Sequence, residues 1–458
     1  YQNIFTFPYF NILQSLTFDE IHTLNDRNRG ATVEAVVSRM KILQSAHMNG
    51  DEHYIRFIAV SATMPNYSDI AEWLGQPSKP ATAFNLGESF RPVKLEKIVL
   101  GFPFKEGTSD FRFDMNLSYR LRAAIDTYSH SKPTLVFDIS ATAVIMTKSH
   151  LKTKYESLVN GTQLIESSLH KHLIEHLNAE IVLGTISEIS HVIEWLRHTF
   201  LYVRALKNPR NYDLCLEKFH LLTSLNLVSI DESTGTIQPT GTGKLMARYC
   251  IAYKTMNQFH KMGENHKNIA EMLEEMAHCA EFEDIQLRTN EKKILNSLNK
   301  DKNKETIRFP MQGKIKTGPM KVYCLIQAQL SCMSIQDFSL SQDMAKIFRV
   351  GQRVAKCLME LIFQGNCYSA LLHAILIYKA FKCKLWFDSR YVARQLDGIG
   401  PTMSLSLANS GLSSFQKIEQ ANARDIELIV NRHPPFGNQI KEAVLALPRY
   451  ELSVEQVL

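Results

Sequence analysis

The 458-residue chain has little of what marks a secreted, membrane-spanning or zinc-built protein. No two of its 8 cysteines are spaced Cys-x-x-Cys. They scatter from Cys215 to Cys383, which predicts free thiols in a reducing compartment rather than disulfides or a zinc site. The longest apolar run, near Ala370 to Ile377, is too short to span a bilayer and is interrupted by His373, so no membrane partner is expected. No signal peptide is evident after Tyr1. A formal net charge of +6 is a small excess for this length, permitting nucleic-acid binding without demanding it. Apolar residues at 45% and charged residues at 21% exclude disorder as the main state, and the length predicts three or four domains.

What is present concentrates in two short stretches. Asp19-Glu20-Ile21-His22 and Ser61-Ala62-Thr63-Met64-Pro65-Asn66 each follow an apolar run, Phe10 to Phe18 and Ile55 to Val60. Both read as turns at the carboxyl ends of parallel strands, the edge where ligands bind in an open α/β sheet. Adjacent carboxylates suit nucleotide hydrolysis, because one holds magnesium while its neighbour orients or polarises the attacking water. This assigns Asp19 and Glu20 to magnesium and ATP, His22 to an outward-facing relay, and the hydroxyls of Ser61 and Thr63 to sensing the phosphates. A lone Asp-Glu is most often a solvated turn. The downstream Ser-Ala-Thr-x-Pro-Asn makes the pair specific.

These residues resemble motifs II and III of a superfamily 2 DExH helicase. Asn28-Arg29-Gly30 followed by Val33 to Met40 is similar to the group whose helicase core precedes a winged helix and a Sec-type helical domain. Within that group the chain resembles the meiotic crossover-promoting DNA helicases, through Thr306-Ile307-Arg308-Phe309-Pro310, Gln327-Ala328-Gln329-Leu330, Lys384-Leu385-Trp386 and Asn431-Arg432-His433-Pro434-Pro435-Phe436-Gly437. The resemblance implies ATP-dependent 3′ to 5′ unwinding of single-stranded or branched DNA, a nuclear place in meiotic recombination, and recombination proteins as partners. The expected fold is α/β followed by mostly α. Remnants of two RecA-like parallel-sheet lobes, 1–92 and 93–165, precede a winged helix over 166–260 and a Sec-type helical bundle over 261–385. A helix-hairpin-helix-like module over 386–432 and a tail over 433–458, the start of a β-domain, complete it.

The resemblance has a gap. Lys132 to Phe137 resembles the first strand motif of the second lobe, yet Ala141 to Thr147 resembles a segment from near the end of that lobe. Parallel strands need crossovers of about a dozen residues or more, so several βα units do not fit between them. The missing part includes the Gln-x-x-Gly-Arg-x-Gly-Arg stretch whose arginines would contact the γ-phosphate. No Gly-x-x-x-x-Gly-Lys-Ser/Thr loop precedes Asp19 either. Thr240-Gly241-Thr242-Gly243-Lys244-Leu245 imitates one, but Gln238 stands where a glycine is needed and Leu245 where a hydroxyl is needed. It reads instead as a turn into the last helix of the winged helix.

Periodicity places the other elements. A helix is expected from Gly30 to Gln44, then one with Ser68 as N-cap and Gly75 as stop, an exit loop from Phe84 to Arg91, a strand from Val93 to Leu100 and a helix from Leu117 to Tyr128. Val192, Trp195, Leu196 and Phe200 form one helical stripe, and Leu227 to Ile230 with Thr236 to Gln238 bracket a wing. His172-Leu173-Ile174-Glu175-His176 matches the His-x-x-Glu-His pattern of some zinc peptidases but lacks a third ligand, so surface histidines on an amphipathic helix are expected.

The helix Gln342 to Phe363 carries Lys346, Arg349, Arg353 and Lys356 at spacings of three and four, a stripe suited to the phosphates of a single strand. Leu396-Asp397-Gly398-Ile399-Gly400-Pro401-Thr402 resembles the hairpin of a helix-hairpin-helix module, where Gly398, Gly400 and Thr402 would bring backbone amides to a DNA phosphate. A helix from Ser404 to Gly411 would pair with another from Phe415 to Val430, and Arg449 to Glu455 alternates like a strand. Two functions follow: an ATP-dependent DNA helicase or translocase, or a helicase-derived scaffold that binds DNA without hydrolysing ATP.

Overall fold

The computed structural model describes residues 13–26, 29–47, 55–62, 64–76, 79–90, 92, 96–104, 110–129, 142–209, 221–231, 233–263, 268–300, 307–365, 367–448, 450 and 453. The chain divides into two compact units, Tyr1–Tyr253 and Lys254–Leu458. Among the described residues no helix is long and apolar enough to cross a membrane.

In the first unit, β1 (Ser15–Phe18) runs parallel to β2 (Arg56–Ala59), with Phe18 opposite Ala59, so the two strands end level. The crossover that parallel pairing requires is α1 (Gly30–His47). α2 (Tyr67–Leu74) follows and stops at Gly75, as expected, but its N-cap is Asn66 and not Ser68, which lies inside the first turn. Ile21, Leu24, Val37, Met64, Ile70, Trp73 and Leu74 close a core beneath the strand ends, completed by Ile165, Phe200 and Val203 from further along the chain.

A second parallel pair joins β3 (Glu96–Phe102) to β4 (Thr142–Lys148), with α3 (Asp110–Tyr128) between them. α3 begins earlier than the sequence predicts, and residues 93–95 of the expected strand lie outside the described residues. Among the described residues the interval holds one βαβ crossover. The strand expected at Lys132 to Phe137 lies outside the described residues. α4 (Lys152–Val159) packs on β3, with Lys97 Nζ donating to the Val159 carbonyl at 3.3 Å.

Next come α5 (Leu173–Leu183), α6 (Ile189–Arg197) and α7 (Phe200–Lys207). The stripe from Val192 to Phe200 is therefore two helices and not one: Thr199 turns extended and caps α7, accepting from Tyr202 N at 3.1 Å. β5 (Val228–Ile230) and β6 (Ile237–Pro239) pair antiparallel as the predicted wing. Asp231 ties their turn by accepting from Ser233 N, Ser233 Oγ and Thr234 Oγ1. Thr240 caps α8 (Gly241–Tyr249) by accepting from Gly243 N at 3.1 Å, so the phosphate-loop lookalike is a helix start. A side chain at Gly243 would collide with the Leu227 carbonyl.

The second unit is helical among its described residues. α9 (Tyr253–Gly263), α10 (Ile269–Ala277) and α11 (Lys292–Lys300) lead to α12 (Gly318–Leu330), buried continuously from Lys321 to Ala328. α13 (Phe338–Phe363) and α14 (Tyr368–Cys383) lie so close at Gly351 that a Cβ there would strike the Phe381 ring. Lys321, fully buried on α12, is neutralised by Glu291 and Asp343, each at 2.6 Å.

Three of the stretches that carry the family resemblance, 306–310, 327–330 and 384–386, meet here. Gln327 accepts from Phe309 N at 2.7 Å, and Phe309 lies edge-on to Trp386 with ring centroids 5.8 Å apart. Arg308 stacks over Trp386 and holds Asp388 through two 2.7 Å hydrogen bonds.

α15 (Pro401–Asn409), α16 (Phe415–Gln420), α17 (Ala423–Val430) and α18 (Phe436–Leu445) close around Leu407, Ile418, Ile426 and Ile440. The single helix expected from Phe415 to Val430 is broken at Ala421 and Asn422, the latter capping α17. The strand expected from Arg449 to Glu455 falls almost wholly outside the described residues; Tyr450 and Ser453 are not in a strand.

Candidate nucleotide rim and nucleic-acid surface

The chain leaves β1 through a tight turn. Glu20 sits in the left-handed region at φ 55, a conformation that costs a non-glycine residue free energy and persists only where its surroundings impose it. Asp19 Oδ1 helps, accepting from Glu20 N at 2.9 Å. A short 3₁₀ turn, Ile21–Asn25, then buries Ile21 and Leu24 and leaves the two carboxylates exposed. Ile21 N donates to the Val60 carbonyl at 3.0 Å, and Val60 N to the Phe18 carbonyl at 2.9 Å, so the turn after β1 is bonded to the turn after β2.

Glu20, His22 and Ser61 converge on this rim. His22 Nδ1 lies 3.1 Å from Glu20 Oε2 and 3.4 Å from Ser61 Oγ. One nitrogen faces both oxygens, so a proton on it goes to the carboxylate, and Ser61 can donate only when that proton is gone. Asp19 and Glu20 are adjacent and open to solvent. Magnesium keeps several waters and takes one or two carboxylates plus substrate phosphates, so such a pair fits it. Thr63 lies outside the described residues. Among the described residues no group of three His, Cys, Asp or Glu is arranged to hold a metal. His172 and His176, expected on the surface, are both half-buried: His172 precedes α5, and burial beside His172 and Arg39 pushes the His176 imidazole down to about 4.

The proposed DNA contacts lie in the second unit. On α13 the buried side is Ile347, Phe348, Gly351, Val354, Ala355 and Leu358, while Arg349 and Arg353 are exposed and Lys346 and Lys356 half-buried at the flanks. Lys346 reaches Asp284 at 3.4 Å, a surface pair worth little. Gly398 takes φ 79, Gly400 precedes α15 with no side-chain cap, and Thr402 is exposed in its first turn. Added Cβ atoms at either glycine would meet open space, so the hairpin surface is clear.

The sequence-level reading missed the joint behind the rim. Asn66 bonds both backbone groups of Ile165, accepting from its N–H at 3.0 Å and donating to its carbonyl at 2.9 Å. Arg204 of α7 bridges Asp69 of α2 and Glu166. The only available signal was the polarity of Asn66 and Asp69 on an otherwise apolar face.

Residues 239–456 match the Sec63 Brl domain, and residues 166–228 a winged helix-turn-helix domain. A probable ATP-dependent DNA helicase HFM1 of Xenopus tropicalis is 40% identical over 97% of this chain and 44% of its own length. The chain is a homologue of the HFM1/MER3 helicases. The HFM1 of Homo sapiens is 38% identical over 97% of this chain and 41% of its own length. The ATP-dependent DNA helicase MER3 of Saccharomyces cerevisiae is 24% identical over 96% and 49%. The chain spans less than half the length of these helicases. Matching the HFM1 of Xenopus tropicalis takes 594 positions, whereas 97% of 458 residues is about 444, so about 150 positions of the match have no residue of this chain.

Proposed function

We propose that the protein acts as an ATP-dependent DNA helicase or translocase in the nucleus, in meiotic homologous recombination and crossover formation. The observation that carries this reading is the convergence of Glu20, His22 and Ser61 where two parallel strands end level. Asp19 would hold magnesium, and Glu20 would orient the water that attacks ATP. His22 and Ser61, with Thr63, would pass the state of the phosphates to the DNA-gripping parts. When bound, magnesium supplies charge neutralisation on the phosphates. The chain's own part is to fix the carboxylates through the strained Glu20 backbone.

In this reading 1–92 and 93–165 are parts of two RecA-like lobes. The winged helix over 166–260, the Sec-type bundle over 261–385 and the hairpin module over 386–432 hold single-stranded or branched DNA, moved 3′ to 5′. Lys346, Arg349, Arg353 and Lys356 would track phosphates along α13, and Gly398, Gly400 and Thr402 would present amides to another phosphate.

A second reading is a helicase-derived DNA-binding scaffold. About 150 positions of the match have no residue of this chain, which favours it. The interval between Asp138 and Ala141 is where the arginine-bearing part of the second lobe would belong. ATP turnover by the protein, with and without single-stranded DNA, separates the two. Turnover raised by DNA supports the helicase; salt-sensitive DNA binding with no turnover leaves the scaffold.

A further inference from the structure

The backbone stretch Ile165-Glu166-Ser167-Ser168-Leu169 crosses behind both turns of the rim and is bonded at almost every residue. Ile165 exchanges two hydrogen bonds with Asn66, the last residue of the second turn. Glu166 holds Arg204, which also grips Asp69 in the first turn of α2. Ser167 Oγ donates to Glu34 Oε2 on α1 at 2.7 Å and accepts from Leu169 N at 3.1 Å. Ser168 Oγ donates to the carbonyl of Leu24, in the 3₁₀ turn that carries Ile21 and His22, at 3.0 Å. Gly30 makes room for this contact, since a Cβ there would meet both Leu24 O and Ser168 Oγ.

These bonds are buried: Asn66 is 6%, Ser167 2% and Ser168 5% exposed. Buried polar groups of this kind are costly to unpair, so the contacts fix geometry. The strap continues directly into the buried Leu169 and Leu173, where the winged helix begins, and its far side is clamped to α7 through Arg204.

We propose that residues 165–169 are a positioning strap: Asn66 and Ser168 hold the two turns of the nucleotide rim in register with each other and with the winged helix. Neither side chain touches substrate. They act through the backbones of the turns they anchor. The proposal rests on the helicase reading for its purpose, but the positioning itself is measurable without nucleotide.

The test is amide hydrogen exchange on the full chain, read at Ile21 and Val60, whose N–H groups make the hydrogen bonds that join the two turns. Neither amide is bonded to Asn66 or Ser168. The Asn66→Ala and Ser168→Ala variants, which lose three hydrogen bonds and one, are each expected to exchange at least about tenfold faster at both positions, while α5 keeps its protection. Ser168→Thr, which keeps the hydroxyl, should restore the wild-type rate. Unchanged exchange at Ile21 and Val60, or equal loosening of α5, overturns the strap. Adding magnesium and ATP separates the two ideas. Protection of the turns that is identical in wild type and Asn66→Ala counts against the strap alone. No protection in the wild type counts against the nucleotide reading alone, and the rates measured without nucleotide still decide the strap.

Discussion

Glu34 on α1 caps a helix 167 positions away: its Oε1 accepts from Leu201 N, in the first turn of α7, at 2.6 Å. The carboxyl is fully buried, and burial pushes it up to about 7 against the lowering effect of Ser167 and the α7 amides. Its folded pKa lies above its unfolded value of about 4.5, so the folded state holds the extra proton. Stability should therefore be greatest below about pH 4.5 for this group, decline as pH rises to about 7, and level off above. The span is roughly 3 kcal/mol. Melting curves of wild type and Glu34→Gln across this range check it: the variant should lose this component, and an unchanged difference between pH 4.5 and 7 would contradict it.

Arg204 should matter more to stability than any surface cation. Asp69 and Arg204 are both almost wholly buried, and Asp69 sits below the usual carboxylate range despite the opposing effect of burial, because Lys207, Asn66 and Arg204 all donate to it. Arg204→Met leaves Asp69 short of a partner in the interior, and a cost of about 3 kcal/mol or more is expected in denaturant unfolding of the first unit. Because the Asp69 pKa is lowered on folding, its stabilisation fades as pH falls through the folded value, and the variant should show less of this acid sensitivity.

Arg349 and Arg353 should carry phosphate contacts. Replacing both by alanine should weaken single-strand binding about tenfold at low salt and reduce the slope of log affinity against log salt by about 1.4, two contacts at roughly 0.7 each. Fluorescence anisotropy across a salt series measures both. Both side chains are exposed while the opposite face of α13 is packed, so the melting temperature should hold.

Gly398→Ala tests the hairpin. At φ 79 an alanine is strained by about 1 kcal/mol but meets no neighbouring atom, so the module should fold and bind DNA less well. Gly437→Ala is the contrast: its Cβ would collide with the Ala423 carbonyl, and it should unsettle the module itself.

The parts of the fold governed by local chemistry were readable from the sequence. The wing, the turn into the helix after Thr240 and the Gly75 stop depend on neighbours a few residues apart. The misreadings share a cause. Asn66 was passed over as a cap in favour of Ser68 because its amide is spent on Ile165, 99 positions away. The stripe from Val192 to Phe200 keeps helical spacing through the break at Thr199, and Val192, Trp195 and Phe200 are buried on both sides of it. At Asn422 a capping side chain likewise ends one helix and starts another without disturbing the apolar period. The strap could not be read at all, since Ile165 to Leu169 has no periodicity and its partners are dispersed from Leu24 to Arg204.

The central claim is that Glu20, at the strained end of β1, orients the water that attacks ATP on a rim shared with His22 and Ser61. Steady-state ATP turnover by wild type and Glu20→Gln, in the presence of single-stranded DNA, tests it most directly. Glu20→Gln keeps the size of the side chain and removes its charge, so turnover should fall at least about a hundredfold while DNA affinity stays the same. Turnover that survives the substitution would contradict the claim.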